Sequence, residues 1–386
     1  MPFYHRLGKI PHKRHTQFRK DDGTLYSEQV MGTKGFSGRQ SILYHINPPT
    51  QLHRAEKLRD WTPKLEEQGA NRHRHLKTFG VKAGGDPIEG RVHLLVNEDV
   101  ALAVAQPTEK MDYFFRNSDG DEVLFVHEGE GVVETIFGTL PYRSGDYIVI
   151  PIGTTYRIVP SSEKTRFLVI ESTGEITTPR RYRNEYGQLM EHSPFCERDI
   201  RVPQILEPKD EKGTFEVRVK ARNQLHAYYY DFHPLDVVGW DGYLYPWIFN
   251  IDDFEPITGS IHQPPPVHQT FAGPNFVVCS FVPRMYDYHP EAIPAPYWHS
   301  NVDSDEVLYY VKGNFMSRKG IEEGSITLHP SGLPHGPHPG TVEASIGKTR
   351  TEELAVMVDT FRPLYVTQAA REIEDESYIT SWLPKK

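Results

Sequence analysis

Short apolar runs broken by turn residues dominate the hydrophobic pattern of this chain. Residues 91–106 contain two such runs, RVHLLVN and VALAVAQ, and residues 122–153 follow the order strand, turn, strand, Gly-Asp turn and strand. After a more polar middle segment, the strand pattern returns at residues 275–345. We expect a helical stretch only near TEELAV (351–356) or TQAAREIEDESY (367–378), so the pattern predicts a mainly β protein.

Two phrases of this pattern occur twice and in the same order. FRNSDGDEVLFVHEGE (115–130) corresponds to HSNVDSDEVLYYVKGN (299–314), with shared Asn, Asp, Glu, Val, Leu and Gly positions. GDYIVIPIGTTY (145–156) corresponds to GSITLHPSGLPH (324–335), with shared Gly, Pro and Gly positions. The turn residues shape the backbone and the apolar residues fill a core, so the repetition predicts two similar β-sandwich or barrel units.

The two copies differ at the positions that could carry chemistry. His299 and His335 of the later copy are replaced by Phe115 and Tyr156 in the earlier one, whereas the glutamate of the first phrase is kept in both. Two imidazoles and a carboxylate therefore come together only once. This predicts a metal site in the later unit and a structural, metal-free earlier unit.

The repeated phrases resemble the paired motifs of the cupin superfamily. The first motif is a His followed by a Glu with a Gly seven residues beyond, and the second is G-x5-P-x-G-x2-H. Asn301 stands where many cupins have another His, which leaves His299, Glu306 and His335 as the candidate ligands. Two imidazoles and one carboxylate with an open face are typical of non-haem Fe(II) oxygenases, although Zn, Mn or Ni could accept the same set.

The choice of carboxylate is open between two neighbouring residues. In an unbroken strand His299 and Asp305 would share a face, whereas Glu306 would point to the other. The segment NVDSD is turn-like, however, and a bend there would reset the alternation. Glu306 also stands seven residues before Gly313, as its counterpart does in the first copy. We therefore favour Glu306 over Asp305.

The bulk composition excludes several functional classes. The 386 residues suffice for one large or two ordinary domains, and a net charge of -9 argues against a general nucleic-acid binder. No apolar run approaches the roughly 20 residues that cross a bilayer, and the N-terminus lacks the apolar core of a secretory signal. With only Cys196 and Cys279 there is no disulfide framework. We therefore expect a cytoplasmic protein without a membrane or nucleic-acid partner.

Nearly the whole chain resembles the homogentisate 1,2-dioxygenase family. The likeness begins at LYSEQVMGTKGFSGRQSILYHINPPTQ, passes through WDGYLYPW and PYWHSNVDSDEVLYYVKGNF, and runs through LHPSGLPHGP to VMVDTFRPLYVTQ. The resemblance implies a bicupin of two jelly-roll units with few helices, often a hexamer built from trimers. It also implies a dioxygenase that uses Fe(II) and O2 to open homogentisate to maleylacetoacetate, a step of tyrosine and phenylalanine catabolism.

The same resemblance assigns roles to individual residues. The family's iron ligands fall on His299, Glu306 and His335. Its catalytic base falls on His262, within IHQPPP, and a histidine that lines its substrate pocket falls on His329. His268 matches no residue of the family's motifs, and we interpret it as a loop or surface histidine.

Two departures from the family bear on the substrate. His299 and Glu306 are seven residues apart, whereas the family usually has six. A tyrosine that reaches the substrate in the family is replaced by Phe315, which removes a hydrogen bond to a polar group. The expected substrate is therefore homogentisate or a close relative, with gentisate or another substituted hydroquinone as the alternative. A metal-dependent isomerase or hydrolase and a non-catalytic bicupin are the hypotheses from other classes.

The repeat also suggests a domain division. We expect residues 1–245 to form an N-terminal β domain that contains the degenerate cupin unit at about 100–175. Residues 246–386 would form the C-terminal cupin unit with the metal site.

Overall fold

The computed structural model describes residues 3–67, 69–313, 315 and 320–383, and it consists mainly of β-strands. Within these residues there are two α-helices of five residues each, Thr341–Ser345 and Gln368–Glu372. Short 3-10 turns occur at Thr78–Gly80, Arg180–Tyr182, Glu197–Asp199, Ile251–Asp253, Pro265–His268 and Glu376–Thr380. None of the described helices has the length and apolar character that crossing a bilayer requires. The predicted mainly β bicupin class with few short helices is confirmed.

The described strands form three large sheets and two small ones. In order across the sheet, the seven-stranded one contains Gly138–Tyr142, Gly131–Thr135, Thr155–Pro160, Phe114–Asn117, Lys212–Ala221, Gln224–Phe232 and Leu52–Asp60. The eight-stranded sheet contains, in the same sense, Ile200–Arg201, Trp247–Asn250, Asp146–Ile150, Asp121–Glu128, Arg166–Ser172, Val100–Ala105, Arg91–Val96 and Tyr365–Val366. The six-stranded sheet contains Gln269–Gly273, Phe276–Phe281, Leu354–Thr360, Asp305–Lys312, Ser325–His329 and Arg74–Lys77.

The two small sheets complete the architecture. The four-stranded sheet contains His5–Gly8, Val237–Gly242, Gln40–His45 and Ser27–Gly32, and the two-stranded sheet pairs Arg284–Met285 with Arg350–Thr351. The expected helix near residues 351–356 is therefore wrong. That segment lies in strands, because Leu354–Thr360 pairs with Phe276–Phe281 and Asp305–Lys312 and this long-range pairing overrides local propensity. Helix Gln368–Glu372 does lie within the second expected stretch.

The eight-stranded and six-stranded sheets share one apolar core. Their side chains belong to the largest buried apolar cluster, in which the ring of Tyr147 meets Phe271 edge-on at 5.2 Å. The hydroxyls of Tyr147 and Ser280 also bond across this contact at 2.9 Å. The repeated units therefore pack face to face, with the six-stranded sheet of the later unit against the eight-stranded sheet of the earlier one.

Strands from each half of the chain complete a sheet of the other half. Arg74–Lys77 pairs with Ser325–His329, whereas Trp247–Asn250 pairs with Asp146–Ile150. The proposed division into residues 1–245 and 246–386 stays a prediction. The exchanged strands imply that neither part has a complete sheet by itself.

The structure gives both copies of the repeat the same backbone frame. Phe115 and Tyr156 are direct antiparallel partners in the first copy, as His299 and His335 are in the second. The motif glycines behave alike too, since Gly153 N–H donates to the Asn117 carbonyl at 2.8 Å and Gly332 N–H donates to that of Asn301 at 2.7 Å. Phe115 and Tyr156 of the first copy therefore occupy the same places in the fold as His299 and His335 of the second copy.

An arginine from outside the repeat fills the degenerate site. Arg91 and Glu122 form a fully buried ion pair, and the hydroxyl of Tyr156 donates to the second oxygen of Glu122 at 2.6 Å. The Arg91 guanidinium lies 5.6 Å from the centre of the Phe115 ring. The retained glutamate thus has a protein cation in the first copy, which explains why it persists without any metal-binding histidine.

Replacing Arg91 by Met should lower the free energy of unfolding by about 3–5 kcal/mol, because Glu122 would be left as a buried charge without a partner. Chemical denaturation followed by fluorescence measures this loss. The matched control is Arg157→Met, which breaks the partly exposed pair with Glu134 and should cost at most about 1 kcal/mol. Equal losses in the two variants would contradict the assignment of Arg91 as the cation that compensates Glu122.

Candidate metal centre and substrate cavity

Three side chains from distant segments converge in the second cupin unit. One ligand atom from each of His299, Glu306 and His335 lies within 4.8 Å of the other two, and this is the group with metal-binding potential found among the described residues. Nε2 of His299 lies 3.3 Å from Oε2 of Glu306, and Nε2 of His335 lies 3.3 Å from its Oε1. The structure thus brings together the three residues that the two motifs single out.

Backbone carbonyls orient both imidazoles toward the carboxylate. Nδ1 of His335 donates to the carbonyl of Leu333 at 3.0 Å, and Nδ1 of His299 lies 3.4 Å from that of Tyr297. With Nδ1 protonated, each Nε2 presents a lone pair to the Glu306 oxygens. Nε2 of His335 is buried and has no hydrogen-bond partner in the described part of the chain. A divalent cation between these atoms would satisfy all three donors, so the residues present fit a metal ion.

Glu306 and Asp305 have separate tasks. The two oxygens of Asp305 accept backbone N–H groups of Ser331 and Leu364, each at 2.8 Å. In the first copy Asp121 likewise accepts the N–H of Ile152, the residue after the motif proline. Asp305 therefore stabilises the turns at Ser331 and Leu364 by accepting hydrogen bonds from their backbone. The carboxylate that faces the imidazoles is that of Glu306.

Gly336 allows the histidine-bearing segments to approach. The N–H of His299 donates to the carbonyl of His335 and the reverse bond also forms, both at 2.9 Å. Gly336 has a φ of 152°, and a Cβ at this position would lie 2.8 Å from Cα of Trp298. A side chain here would push the two segments apart, so the glycine after His335 sets the spacing of the candidate metal ligands.

A buried histidine donates a hydrogen bond to the Glu306 carboxylate, and a tyrosine contacts that histidine in turn. Nδ1 of the fully buried His329 donates to Oε1 of Glu306 at 2.8 Å, and the hydroxyl of Tyr378 lies 3.1 Å from its Nε2. Burial raises the pKa of Glu306, but the three neighbouring imidazoles of His299, His329 and His335 outweigh it and hold the pKa well below its usual value. The carboxylate is therefore ionised and fixed in direction. The predicted substrate contact of His329 stays a prediction, since this histidine is not among the residues that line the cavity beside the site.

His329→Leu should weaken metal binding about 10–100-fold, because Glu306 would lose the hydrogen bond that orients it. Competition with a metallochromic indicator measures the affinity. His338→Leu is the control: His338 is equally buried and bonds to Ser381, so its loss tests for general damage to the same aromatic cluster. If both variants bind metal as the wild type does, the supporting role of His329 is wrong.

A cavity of about 180 Å³ opens beside the candidate metal ligands. His299 and Glu306 line it, together with the predicted base His262 and the predicted substrate contact Phe315. Phe315 is buried, and its ring meets Tyr310 edge-on with centres 4.6 Å apart. Four of the six residues singled out by sequence therefore border one space.

His262 lies on a loop held by the segment that follows strand Arg284–Met285. Its Nδ1 is 3.6 Å from Oδ2 of Asp287, and its ring packs edge-on against Tyr297 at 5.4 Å. Tyr297 in turn contacts the ring of His299 at 5.8 Å. One tyrosine thus bridges the candidate base and a candidate metal ligand.

Four further cavity residues were missed by sequence analysis: Arg284, His268, Tyr310 and Asp359. His268 is buried, contrary to its interpretation as a loop or surface residue, although it does end a 3-10 turn. Asp359 is the cross-strand partner of Glu306, and burial together with that negative charge raises the pKa of Asp359 to about 8. No local motif marks these positions, because long-range strand pairing brings them to the cavity.

Comparison with known proteins links the whole chain to one family. Residues 8–251 match the family model described as homogentisate 1,2-dioxygenase N-terminal, and residues 249–386 match the one described as homogentisate 1,2-dioxygenase C-terminal. These matches confirm the resemblance seen in the sequence.

Individual relatives agree with the family models. A protein of Saccharolobus solfataricus named "Putative dioxygenase" is 44% identical over 99% of both chains. Homogentisate 1,2-dioxygenase of Nitrobacter hamburgensis is 29% identical over 70% of this chain and 63% of its own length. A cupin 2 conserved barrel domain protein from Leptotrichia buccalis covers 76% of this chain and 98% of its own at 9% identity, with a TM-score of 0.34. At that distance the structural likeness supports no functional argument.

Proposed function

Because this chain belongs to the homogentisate 1,2-dioxygenase family, we propose that it is a ring-cleaving dioxygenase that uses Fe(II) and O2 to open a hydroquinone-type aromatic acid. Homogentisate or a close relative is the proposed substrate. The observation that carries the proposal is the convergence of His299, Glu306 and His335 beside a cavity. A dioxygenase of this kind adds both atoms of O2 to the ring that it cleaves.

The donor set suits Fe(II). Two imidazole nitrogens and one carboxylate oxygen leave coordination positions open on one side, as in non-haem Fe(II) oxygenases. When bound, iron would supply the redox chemistry that lets ground-state dioxygen react with a closed-shell ring. His299, Glu306 and His335 would hold it, and His329 would keep the carboxylate aligned.

The cavity supports a small substrate. Its volume of about 180 Å³ is close to the roughly 150 Å³ of an engineered cavity that accepts benzene. One aromatic ring with short substituents fits such a space. Apolar side chains would exclude water from the ring: Phe281, Val282, Leu308, Phe315, Ala355 and Met357 line the cavity.

His262 is the proposed base. Histidine has an ordinary pKa near neutrality, which suits removal of a proton from a phenolic hydroxyl. Asp287, 3.6 Å from Nδ1, would orient the imidazole so that Nε2 receives the proton. The neighbouring Pro264–Pro266 run limits the freedom of the loop that carries His262.

The presence of Phe315 supports the alternative hypothesis, in which the natural substrate is a relative of homogentisate and not homogentisate itself. The side chain contributes an apolar wall to the cavity at a place where it can offer no hydrogen bond. Gentisate or another substituted hydroquinone would then be the preferred ring. The chemistry and the metal site would be the same.

Oxygen uptake tests the proposed function. Fe(II)-loaded protein is mixed with homogentisate, gentisate and simple hydroquinones in an oxygen electrode. We expect uptake of one O2 per ring opened with at least one of them, and none after removal of iron by a chelator. Turnover without oxygen uptake would instead identify a metal-dependent isomerase or hydrolase, and protein without stoichiometric iron would favour a non-catalytic bicupin.

We also propose that the protein acts as a homo-oligomer, a trimer or hexamer as in the family that it resembles. Light scattering on the purified protein measures this directly. A monomer at micromolar concentration would contradict it.

A further inference from the structure

We propose that the guanidinium of Arg284, together with the imidazole of His268 in the same cavity, forms the subsite that receives the acidic group of the substrate. This subsite makes the cavity select aromatic acids over uncharged hydroquinones. The inference rests on the proposed function because that function identifies the ring of the substrate. The binding of an acidic group by Arg284 does not depend on it. Neither residue belongs to the metal site or to the sequence motifs.

Arg284 is placed at the cavity by a small two-stranded sheet. It begins strand Arg284–Met285, and its backbone pairs with Thr351 of the opposite strand. Arg284 and Thr351 both line the cavity that also contains His299 and Glu306. The strand pairing thus fixes the backbone of Arg284, and its positive side chain borders the cavity in which the aromatic ring of the substrate would bind.

The Arg284 guanidinium has no partner of its own in the described part of the chain. It forms no side-chain hydrogen bond there, and no described carboxylate lies within 4.0 Å of it. Burial lowers the pKa of Arg284, and the carboxylates of Asp287 and Glu353 act on it only as charges at longer range. A half-buried cation of this kind is stabilised by an anionic ligand, and the planar guanidinium matches a carboxylate in two parallel hydrogen bonds.

His268 adds a neutral donor to the subsite. It is 3% exposed, and its Nδ1 has no hydrogen-bond partner among the described residues. Its ring packs on Phe281 with centres 4.6 Å apart. Burial, assisted by the positive charges of Arg284 and His262, lowers the pKa of His268 to about 3. At neutral pH the imidazole is therefore uncharged and has one N–H to donate.

The other acidic groups of the cavity leave this subsite positive. Glu306 faces His299 and His335, and neither Glu306 nor its cross-strand partner Asp359 lies within ion-pair distance of Arg284. Glu353 also lines the cavity, but lies beyond ion-pair distance from Arg284. An anionic substituent is therefore attracted to Arg284, and a neutral one gains no comparable contact.

Calorimetry on Fe(II)-loaded protein without oxygen tests the subsite with two probes, homogentisate and methylhydroquinone, which has no carboxylate. Arg284→Met should weaken homogentisate binding roughly 10–100-fold and leave methylhydroquinone within about twofold. Arg284→Lys should recover part of the loss. Arg350→Met is the control, since Arg350 lies on the paired strand, is exposed and does not line the cavity.

Oxygen uptake on the same preparations separates the two proposals. Arg284-dependent binding of homogentisate without any oxygen uptake would support the subsite and refute the dioxygenase. Turnover of homogentisate with unchanged preference in both Arg284 variants would refute the subsite and leave the dioxygenase standing. Equal weakening of both probes by Arg284→Met, or wild-type protein that binds neither probe, would also overturn the subsite.

Discussion

Glu306→Gln is expected to yield folded protein with less than a tenth of the wild-type iron content and with no measurable oxygen uptake. The amide keeps the shape of the side chain but lacks the negative charge that, with two imidazoles, holds a divalent cation. Nε2 of His299 and Nε2 of His335 each lie 3.3 Å from an oxygen of Glu306, so the carboxylate lies at the centre of the site. Removing the carboxylate charge therefore removes the only anionic ligand of the proposed set.

Metal analysis by mass spectrometry after anaerobic loading measures this loss. Glu353→Gln is the matched control, because Glu353 is a carboxylate in the same cavity but outside the ligand set. His335→Asn should behave as Glu306→Gln does, since Nε2 of His335 has no other described partner. Stoichiometric iron in either ligand variant would refute the metal centre and with it the proposed reaction.

His262→Asn is expected to keep its iron while the turnover number falls roughly 10²–10⁴-fold, the usual contribution of a general base. Asparagine can keep a hydrogen bond but cannot accept the phenolic proton. Because His262 is outside the ligand set and reaches the site through Tyr297, its loss should leave the metal affinity unchanged. Oxygen uptake and metal content measured on one preparation give both quantities.

His289→Asn is the control for this base. His289 lies in the segment that holds the His262 loop, with its N–H bonded to the Ser260 carbonyl at 2.8 Å, but it does not line the main cavity. Near wild-type turnover in His262→Asn would show that the proton is taken by another group. A parallel loss of iron would mean that His262 has a structural task at the metal centre.

Local patterns predicted much of the site. The alternation of short apolar runs gave the mainly β class, and the spacing of two motifs singled out His299 and His335 because the other copy lacks them. For the carboxylate the local patterns disagree, since strand alternation favours Asp305 and motif spacing favours Glu306. The bend before strand Asp305–Lys312 sets the direction of the two side chains.

Other parts of the site could not be predicted, because their partners are distant in sequence. Arg91 meets Glu122 across two strands of the eight-stranded sheet, and Tyr378 reaches His329 from the C-terminal segment. His268 and Arg284 have ordinary loop and strand surroundings in the sequence. Only the folded chain places them in one cavity.

The sequence by itself determined that two β units repeat and that one of them has lost its histidines, because turn residues, strand alternation and motif spacing are local properties of the chain. The tertiary structure alone decided which carboxylate faces the imidazoles, which arginine pairs with the glutamate of the first unit and which arginine borders the cavity beside the candidate metal ligands. These outcomes depend on strand register and on the exchange of strands such as Arg74–Lys77 between sheets. Register is fixed by packing over the whole molecule, so it is not encoded in any short stretch.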